Sequence, residues 1–229
     1  DQISVGHQNQ EFNLCYPSSI DNIITLGDYN GNTNGGDYNI LVIDMSATWC
    51  GPCQSLIPSF DQLHQDYSDN EYVEIIVALS DLNQPYSCVQ WGNMGTSGIP
   101  NIVDDPGYAL FNMFGSGAWP SLVVIDHEMR VIYKEAGYAP TFVSDMSEII
   151  DDVLFDMENS LILYNEMFIT LDSTSGDGDG VLNPEESFNI DLILTNNSFD
   201  LDAINVTAIL ENDDDIVFST NSLFFGNID

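Results

Sequence analysis

Two cysteines separated by two residues lie where a strongly apolar segment meets a segment with helical periodicity. The apolar run Ile40–Ala47 comes before Cys50 and Cys53, and apolar side chains recur at helical spacing over 54–67. This pattern predicts a buried strand that delivers both cysteines to the first turn of a helix. The free backbone N–H groups and the positive end of the helix dipole at that place favour a thiolate over a thiol.

Three interpretations of the cysteine pair are open. In a redox pair, Cys50 would be an exposed nucleophile and Cys53 would resolve the mixed disulfide. The pair could instead be a structural disulfide or half of a zinc site. Zinc needs four ligands, and the sequence has neither a second C-x-x-C nor an H-x-x-x-H pattern. The residues favour the redox pair.

Further residues around the pair resemble the thioredoxin superfamily. Asp44 lies six residues before Cys50, where thioredoxins keep a buried acid, and Pro58 lies where they kink the active-site helix. Residues 117–125 resemble the family's cis-proline loop and the core strand after it. The resemblance covers residues 10–158 and extends to the TlpA-type thioredoxin-like proteins of bacterial envelopes.

This resemblance implies an α/β thioredoxin-like fold with an N-terminal extension, acting on protein disulfides together with an unknown redox partner. The residues implied to be catalytic are Cys50, Cys53, Asp44 and Pro120. Those implied to contact substrate are Trp49, Gly51, Pro52 and Trp119, although the two tryptophans could simply pack against each other. No cofactor is expected for catalysis.

The sequence departs from the family pattern at two places. Gln54 stands where many thioredoxins have lysine or arginine, so a thiolate at Cys50 would be less favoured. Residues 77–79 are apolar where many thioredoxins place a buried lysine opposite the acid. Proton handling through Asp44 is therefore the part of the resemblance that this sequence supports least.

The two remaining cysteines, Cys15 and Cys88, lie outside the common core of the family. An even cysteine count favours a structural disulfide between them in an oxidising compartment. Two free buried thiols, or a second redox relay through Cys88, are the alternatives. Together with the resemblance, the preferred pairing predicts an extracytoplasmic location, whether secreted, periplasmic or on the cell surface.

The charge balance excludes some partners. Two Lys and Arg residues stand against 37 Asp and Glu residues, a formal net charge of −35. Such a surface repels nucleic acid and anionic lipid, and cations must screen its self-repulsion. The composition predicts a protein of salty or calcium-bearing surroundings, although high negative charge could also serve solubility alone. The sequence has no apolar run of the length that spans a membrane.

Hydrophobic patterning divides the chain into a thioredoxin-like domain, 1–160, and a β-module, 161–229. In the first domain we expect a frayed segment over 1–11 and a loop over 27–39. The predicted strands cover 12–14, 23–26, 40–47, 72–79, 122–125 and 131–134, and the predicted helices 54–67, 85–91, 108–114 and 139–158.

The β-module shows short strand patterns without helical period, at 161–171, 188–194, 203–210 and 222–225. They predict a small immunoglobulin-like sandwich, although such a sandwich takes about 100 residues. Either the sequence stops inside this domain, or another chain or module completes it. An open β edge would invite self-association or pairing with a partner chain.

An acidic, glycine-rich loop in the β-module matches the spacing of a calcium-binding loop. The candidate ligands are Ser175, Asp177, Asp179, Val181 through its carbonyl, Asn183 and Glu186. An ordinary acidic turn is the alternative. The three histidines, His7, His64 and His127, are scattered, and we expect them to be solvated.

Two functions from different classes follow. The first is an extracytoplasmic thiol–disulfide oxidoreductase that uses the W-C-G-P-C pair. The second is a redox-inert thioredoxin-like scaffold, a calcium-stabilised surface, adhesive or filament-forming protein in which the pair is a closed disulfide. The complete set of active-site residues favours the enzyme.

Overall fold

The computed structural model describes residues 2–17, 23–96, 98–137, 141–159, 162–171, 187–198, 201–209 and 222–228. The chain divides into two compact units, Asp1–Asp156 and Met157–Asp229. The first unit contains a mixed seven-stranded sheet. Its strands are β1 (Phe12–Tyr16), β2 (Ile23–Ile24), β3 (Ile40–Ala47), β4 (Val73–Ser80), β5 (Asn101–Asp104), β6 (Ser121–Ile125) and β7 (Val131–Ala136).

Six helices lie before, between and after these strands in the described residues. They are α1 (Val5–Gln8), α2 (Gly31–Asn34), α3 (Gly51–Tyr67), α4 (Cys88–Gly92), α5 (Ala109–Phe114) and α6 (Phe142–Glu158), with 3-10 turns at Leu26–Tyr29 and Pro106–Tyr108. The strand order in the sheet is β2-β1-β5-β4-β3-β6-β7. Strands β3, β4 and β5 run parallel, and β6 and β7 complete the sheet as an antiparallel hairpin. This confirms the predicted thioredoxin-like α/β fold.

Strand β3, which lies between β4 and β6 in the sheet, is buried at every one of its eight positions. A continuous apolar run is typical of a parallel strand that is covered on both faces. Helix α3 follows it after a short turn, with Cys50 as the N-cap residue and a proline in the first turn. Its buried apolar face (Leu56, Phe60 and Leu63) holds the helix in place and so fixes the position of its first turn.

The structure differs from the sequence predictions at the N-terminus and in the middle of the first unit. Residues 2–11 are not frayed, because Ile3 donates its N–H to the carbonyl of Met129 at 2.8 Å and its side chain is buried. The buried Gln8 accepts a hydrogen bond from Asn30 at 2.7 Å. The predicted loop at 27–39 contains two short helical segments, and strand β5 was not predicted.

The second unit contains four described strands in two antiparallel pairs. They are β8 (Leu163–Leu171) with β9 (Phe188–Asn196), and β10 (Ala203–Ile209) with β11 (Ser222–Ile228). The Asn196 side chain connects the pairs by donating to the carbonyls of Leu201 at 2.7 Å and Ile228 at 3.2 Å. The predicted all-β character of this part of the chain is confirmed.

Candidate active site

The two cysteines of the W-C-G-P-C segment form a disulfide at the beginning of α3. Their Cα atoms are 5.2 Å apart, and the backbone N–H of Cys53 donates to the Cys50 sulfur at 3.2 Å. Gly51 and Pro52 lie exposed in the first helical turn. Cys50 is only 3% exposed, contrary to the sequence expectation, because the disulfide turns its sulfur towards the buried Cys53. The helix N-terminus thus donates directly to the sulfur expected to carry negative charge after reduction.

The loop with Trp119 and Pro120 lies beside the end of β3. The Trp119–Pro120 peptide bond is cis. Pro120 immediately precedes β6, whose Ser121 pairs with Met45 in β3. The same sheet register therefore brings the loop and the cysteine-bearing helix to one edge of the sheet.

Four aromatic side chains, Trp49, Tyr108, Phe111 and Trp119, form a contiguous group that we call the aromatic platform. Trp119 stacks on Phe111 with ring centroids 3.9 Å apart. Trp49 and Trp119 form a T-shaped pair with ring centroids 6.2 Å apart, and the centroid of Tyr108 lies 6.1 Å from that of Trp119. Trp49 and Tyr108 are 53% and 39% exposed, so the platform offers an apolar surface to solvent next to the cysteine pair.

Asp81 holds two of these rings by their polar edges. Its Oδ2 accepts from Trp49 Nε1 at 2.6 Å, and its Oδ1 accepts from the Tyr108 hydroxyl at 2.9 Å. The buried Thr48 fixes the loop that carries Asp81 by donating to the carbonyls of Asp81 and Gln84. No sequence motif singles out Asp81, although its place directly after a parallel strand is where sites form in such sheets.

A second carboxylate that no sequence motif singles out, Asp105, supports the platform through the backbone of α5. Asp105 is buried and accepts from the backbone N–H groups of Leu110 at 2.8 Å and Phe111 at 3.3 Å. Burial raises the pKa of Asp105, and these hydrogen bonds oppose that shift. By capping the beginning of α5, Asp105 positions Phe111, on which Trp119 stacks.

The predicted buried acid, Asp44, lies on β3 and is 4% exposed. Burial raises its pKa from the ordinary 3.8 to about 7, and the hydrogen bond from Ser46 to Oδ2 at 2.6 Å only partly opposes this shift. Among the described residues, its Oδ1 has no hydrogen-bond partner. Asp44 lines a cavity of about 20 Å³ with Val77 and Trp91, enough room for one water molecule. The acid can therefore change protonation state near neutral pH.

The other two cysteines, Cys15 and Cys88, are bonded to each other across a sequence separation of 73 residues, with Cα atoms 5.9 Å apart. The bond joins β1 to α4. Trp91 of α4 lines the Asp44 cavity, so this disulfide also fixes one wall of that cavity.

Removal of the Cys15–Cys88 bond should destabilise the protein strongly. Closure of a loop of this length removes about 4 kcal/mol of chain entropy from the unfolded state. We expect a Cys15→Ala/Cys88→Ala double variant to lose about that much free energy of unfolding in urea denaturation. The matched control, Cys50→Ala/Cys53→Ala, opens a loop with a separation of only 3 residues and should lose about 2 kcal/mol, less than half as much. Equal losses for the two variants would contradict this prediction.

The prediction that all three histidines are solvated is wrong for two of them. His7 is exposed, but Nδ1 of the half-buried His64 lies 2.7 Å from the Gly98 carbonyl because α3 packs against that loop. His127 lies half-buried against the Tyr38 ring, and burial lowers its pKa.

Within the described ranges, no group of three or more His, Cys, Asp or Glu side chains is arranged to hold a metal ion. The candidate calcium ligands at 175–186 lie outside the described residues. None of the helices in the described part of the chain combines the length and apolarity needed to cross a membrane.

The fold and the disulfide at the helix N-terminus define a thioredoxin-like protein. Residues 24–152 match the family model described as Redoxin, and the chain belongs to this family. Two solved structures show the same fold. A chain described as a thiol:disulfide interchange protein DsbE from Chlorobium tepidum has 18% sequence identity and a TM-score of 0.51, covering 64% of this chain and 95% of that one. DsbF of Mycobacterium tuberculosis has 13% identity and a TM-score of 0.51, covering 64% and 96%.

Curated relatives match over shorter stretches. Thioredoxin-1 of Schizosaccharomyces pombe is 42% identical over 38 residues, which is 17% of this chain and 37% of that protein. A thioredoxin-like protein, R548, of Acanthamoeba polyphaga mimivirus is 28% identical over 79 residues, 31% of this chain and 58% of that protein. The chain thus spans between about a third and three fifths of the length of these two relatives.

Proposed function

We propose that this protein is a thiol–disulfide oxidoreductase that acts on disulfides of other proteins. The observation that carries the proposal is the Cys50–Cys53 disulfide at the beginning of α3, where the N–H of Cys53 donates to the Cys50 sulfur. This placement favours redox activity, since the helix N-terminus stabilises the thiolate that leaves or attacks. Membership in the Redoxin family supports the same conclusion.

The reaction proceeds by two thiol–disulfide exchanges. In the reduced protein, the Cys50 thiolate attacks one sulfur of the substrate disulfide, and the other substrate sulfur leaves with the bonding electron pair. Cys53, as a thiolate, then attacks the Cys50 sulfur and releases the second substrate thiolate. The substrate gains two electrons, and the protein returns to the disulfide form described here. A dithiol donor must reduce it again before the next turnover.

Asp44 supplies the proton transfer that the second exchange needs. Cys53 is buried and must lose its proton before it can attack. An acid whose pKa burial raises to about 7 can accept a proton near neutral pH and return it later. In the described part of the chain no donor contacts Oδ1, so this oxygen is free to take up the proton, and the cavity beside Asp44 has room for one water molecule.

The remaining site residues bind the substrate chain. Trp49 and Trp119 supply apolar contact, and the exposed Gly51 and Pro52 let a substrate approach the first turn of α3. Pro120 shapes the backbone next to this turn.

A single-turnover experiment tests the proposed function. The protein is reduced, freed of reductant and mixed with an excess of a peptide that contains one disulfide. We expect one peptide disulfide reduced per protein molecule by the Cys15→Ala/Cys88→Ala variant, which retains only the Cys50–Cys53 pair. Release of no peptide thiol by either wild type or this variant would overturn the proposal.

An extracytoplasmic location is part of the proposal. The Cys15–Cys88 disulfide supports it, because structural disulfides persist in oxidising compartments and are rare in the cytosol. Fractionation of the native cells tests this location. We expect the protein outside the cytoplasm with Cys15 and Cys88 protected from alkylation.

The second unit is proposed to bind calcium and to associate with another β-chain. The loop spacing at 175–186 supports calcium, and exposed apolar side chains on both strand pairs, such as Phe168, Ile204 and Phe224, support association. We expect calcium to raise the melting temperature of the wild type but not of a Glu186→Gln variant. A melting temperature that calcium leaves unchanged in both would contradict the calcium site. Light scattering over a range of protein concentrations tests self-association.

A further inference from the structure

The carboxylate of Asp81, which holds two rings of the aromatic platform, bears on which substrates the site prefers. Asp81 accepts from Trp49 and Tyr108, and these two donors leave part of the acceptor capacity of its carboxylate unused. Its side chain is half-buried and borders the two most exposed rings of the platform. A negative charge is therefore held in a fixed position beside the rings.

No cation of this protein neutralises that charge in the described residues. The two cationic residues of the chain are Arg130 and Lys134, both at the β6–β7 hairpin. Arg130 is engaged by Asp126 at 2.8 Å and by Glu128. The formal charge of −35 adds a long-range field that attracts cations and repels anions.

Aromatic faces and a fixed carboxylate together match one kind of group. A guanidinium or ammonium group can lie against the face of Trp49 or Tyr108 while it pairs with the carboxylate. An acidic chain or a small anionic disulfide meets repulsion at the same place. We infer that the site selects basic protein substrates, disulfides flanked by lysine or arginine, and that Asp81 with the platform is the specificity determinant. This inference rests on the proposed function.

The test compares three synthetic peptides, each with one disulfide, that differ only in having Arg, Gln or Glu beside the first cysteine. We expect kcat/KM to fall in the order Arg, Gln, Glu, with about tenfold or more between Arg and Glu at low salt. Near 1 M salt, where the Debye length is only about 3 Å, the ratio of kcat/KM for the Arg peptide to that for the Glu peptide should shrink towards one. Equal kcat/KM values for the three peptides at low salt would overturn the inference.

The substitution Asp81→Asn separates the local charge from the charge of the whole surface. Asparagine keeps an acceptor for the two rings and tolerates the positive φ of 57° at this position. We expect the preference for Arg over Gln to fall about fivefold. The matched control, Asp152→Asn on an exposed face of α6, removes one charge elsewhere and should leave the preference unchanged.

Two outcomes of the variant series would count against Asp81. Equal losses of preference in Asp81→Asn and Asp152→Asn would assign the selection to the overall charge. Loss of the Arg preference in Asp81→Glu, which keeps a negative charge at this position, would contradict selection by that charge, and this result remains informative if Asp81→Asn does not fold. If none of the peptides is reduced by the wild type, the proposed function itself fails, which is a different result from equal reduction of all three.

Discussion

Replacement of Cys50 by serine is expected to abolish disulfide exchange, with a loss of at least about 1,000-fold in kcat/KM. A hydroxyl in place of the thiolate removes the nucleophile. Cys53 cannot replace it, because it is a buried residue inside α3, whereas Cys50 occupies the N-cap position between the exposed Trp49 and Gly51. Turnover of a peptide disulfide with a dithiol donor provides the measurement.

Cys53→Ser should behave differently from Cys50→Ser. Its Cys50 can still attack the substrate, but nothing resolves the product. We therefore expect a stable mixed disulfide between Cys50 and the peptide, visible by mass spectrometry as a protein carrying one peptide. Activity retained in Cys50→Ser, or a peptide trapped on Cys50→Ser rather than on Cys53→Ser, would contradict the assigned roles.

The free energy of unfolding of oxidised Asp44→Asn should increase relative to that of oxidised wild type as the pH rises. The pKa of Asp44 is about 7 in the folded protein against an ordinary 3.8, so the folded state binds this proton more tightly than the unfolded state. The stability that the proton contributes is fully present below about pH 4 and is lost as the pH approaches 7. At 1.36 kcal/mol per pKa unit, the loss amounts to about 4 kcal/mol in the wild type. Because asparagine does not titrate, the variant does not undergo this pH-dependent loss of stability.

The measurement for Asp44 is urea denaturation of wild type and variant between pH 4 and pH 8.5. The difference in free energy of unfolding isolates Asp44 from the other buried carboxyls, which titrate in both proteins. Ser46→Ala serves as a matched control, because loss of its hydrogen bond to Oδ2 should raise the pKa of Asp44 further. A difference between wild type and Asp44→Asn that does not vary with pH would refute the raised pKa.

Local sequence patterns were sufficient for the elements that carry the cysteines. The apolar run at β3 and the helical period after Cys53 each lie within one segment, and both elements form as predicted. Strand β5 was missed because it has only four residues, and it is identified by its pairing with β4 and β1 rather than by its own pattern. The ordering of residues 2–11 depends likewise on a distant contact, between Ile3 and Met129.

The residues around the cysteine pair were only partly predictable for the same reason. Trp49 and Trp119 lie within recognisable motifs. Asp81 and Tyr108 are 27 residues apart in sequence and meet only because Leu79 of β4 pairs with Asp104 of β5. Tyr108 also has a positive φ of 62°, which tyrosine rarely adopts and which no local pattern announces. Contacts of this kind require the sheet register, and a single sequence does not provide it.

The reduction potential of the Cys50–Cys53 pair tests the proposed redox role most directly. The titration uses glutathione or dithiothreitol buffers and the Cys15→Ala/Cys88→Ala variant, in which no other cysteine contributes. We predict a reversible two-electron couple between about −270 and −120 mV, the range of known oxidoreductases. A pair that stays oxidised to below about −300 mV would contradict the account. The disulfide would then be structural, and the thioredoxin-like unit would be a scaffold.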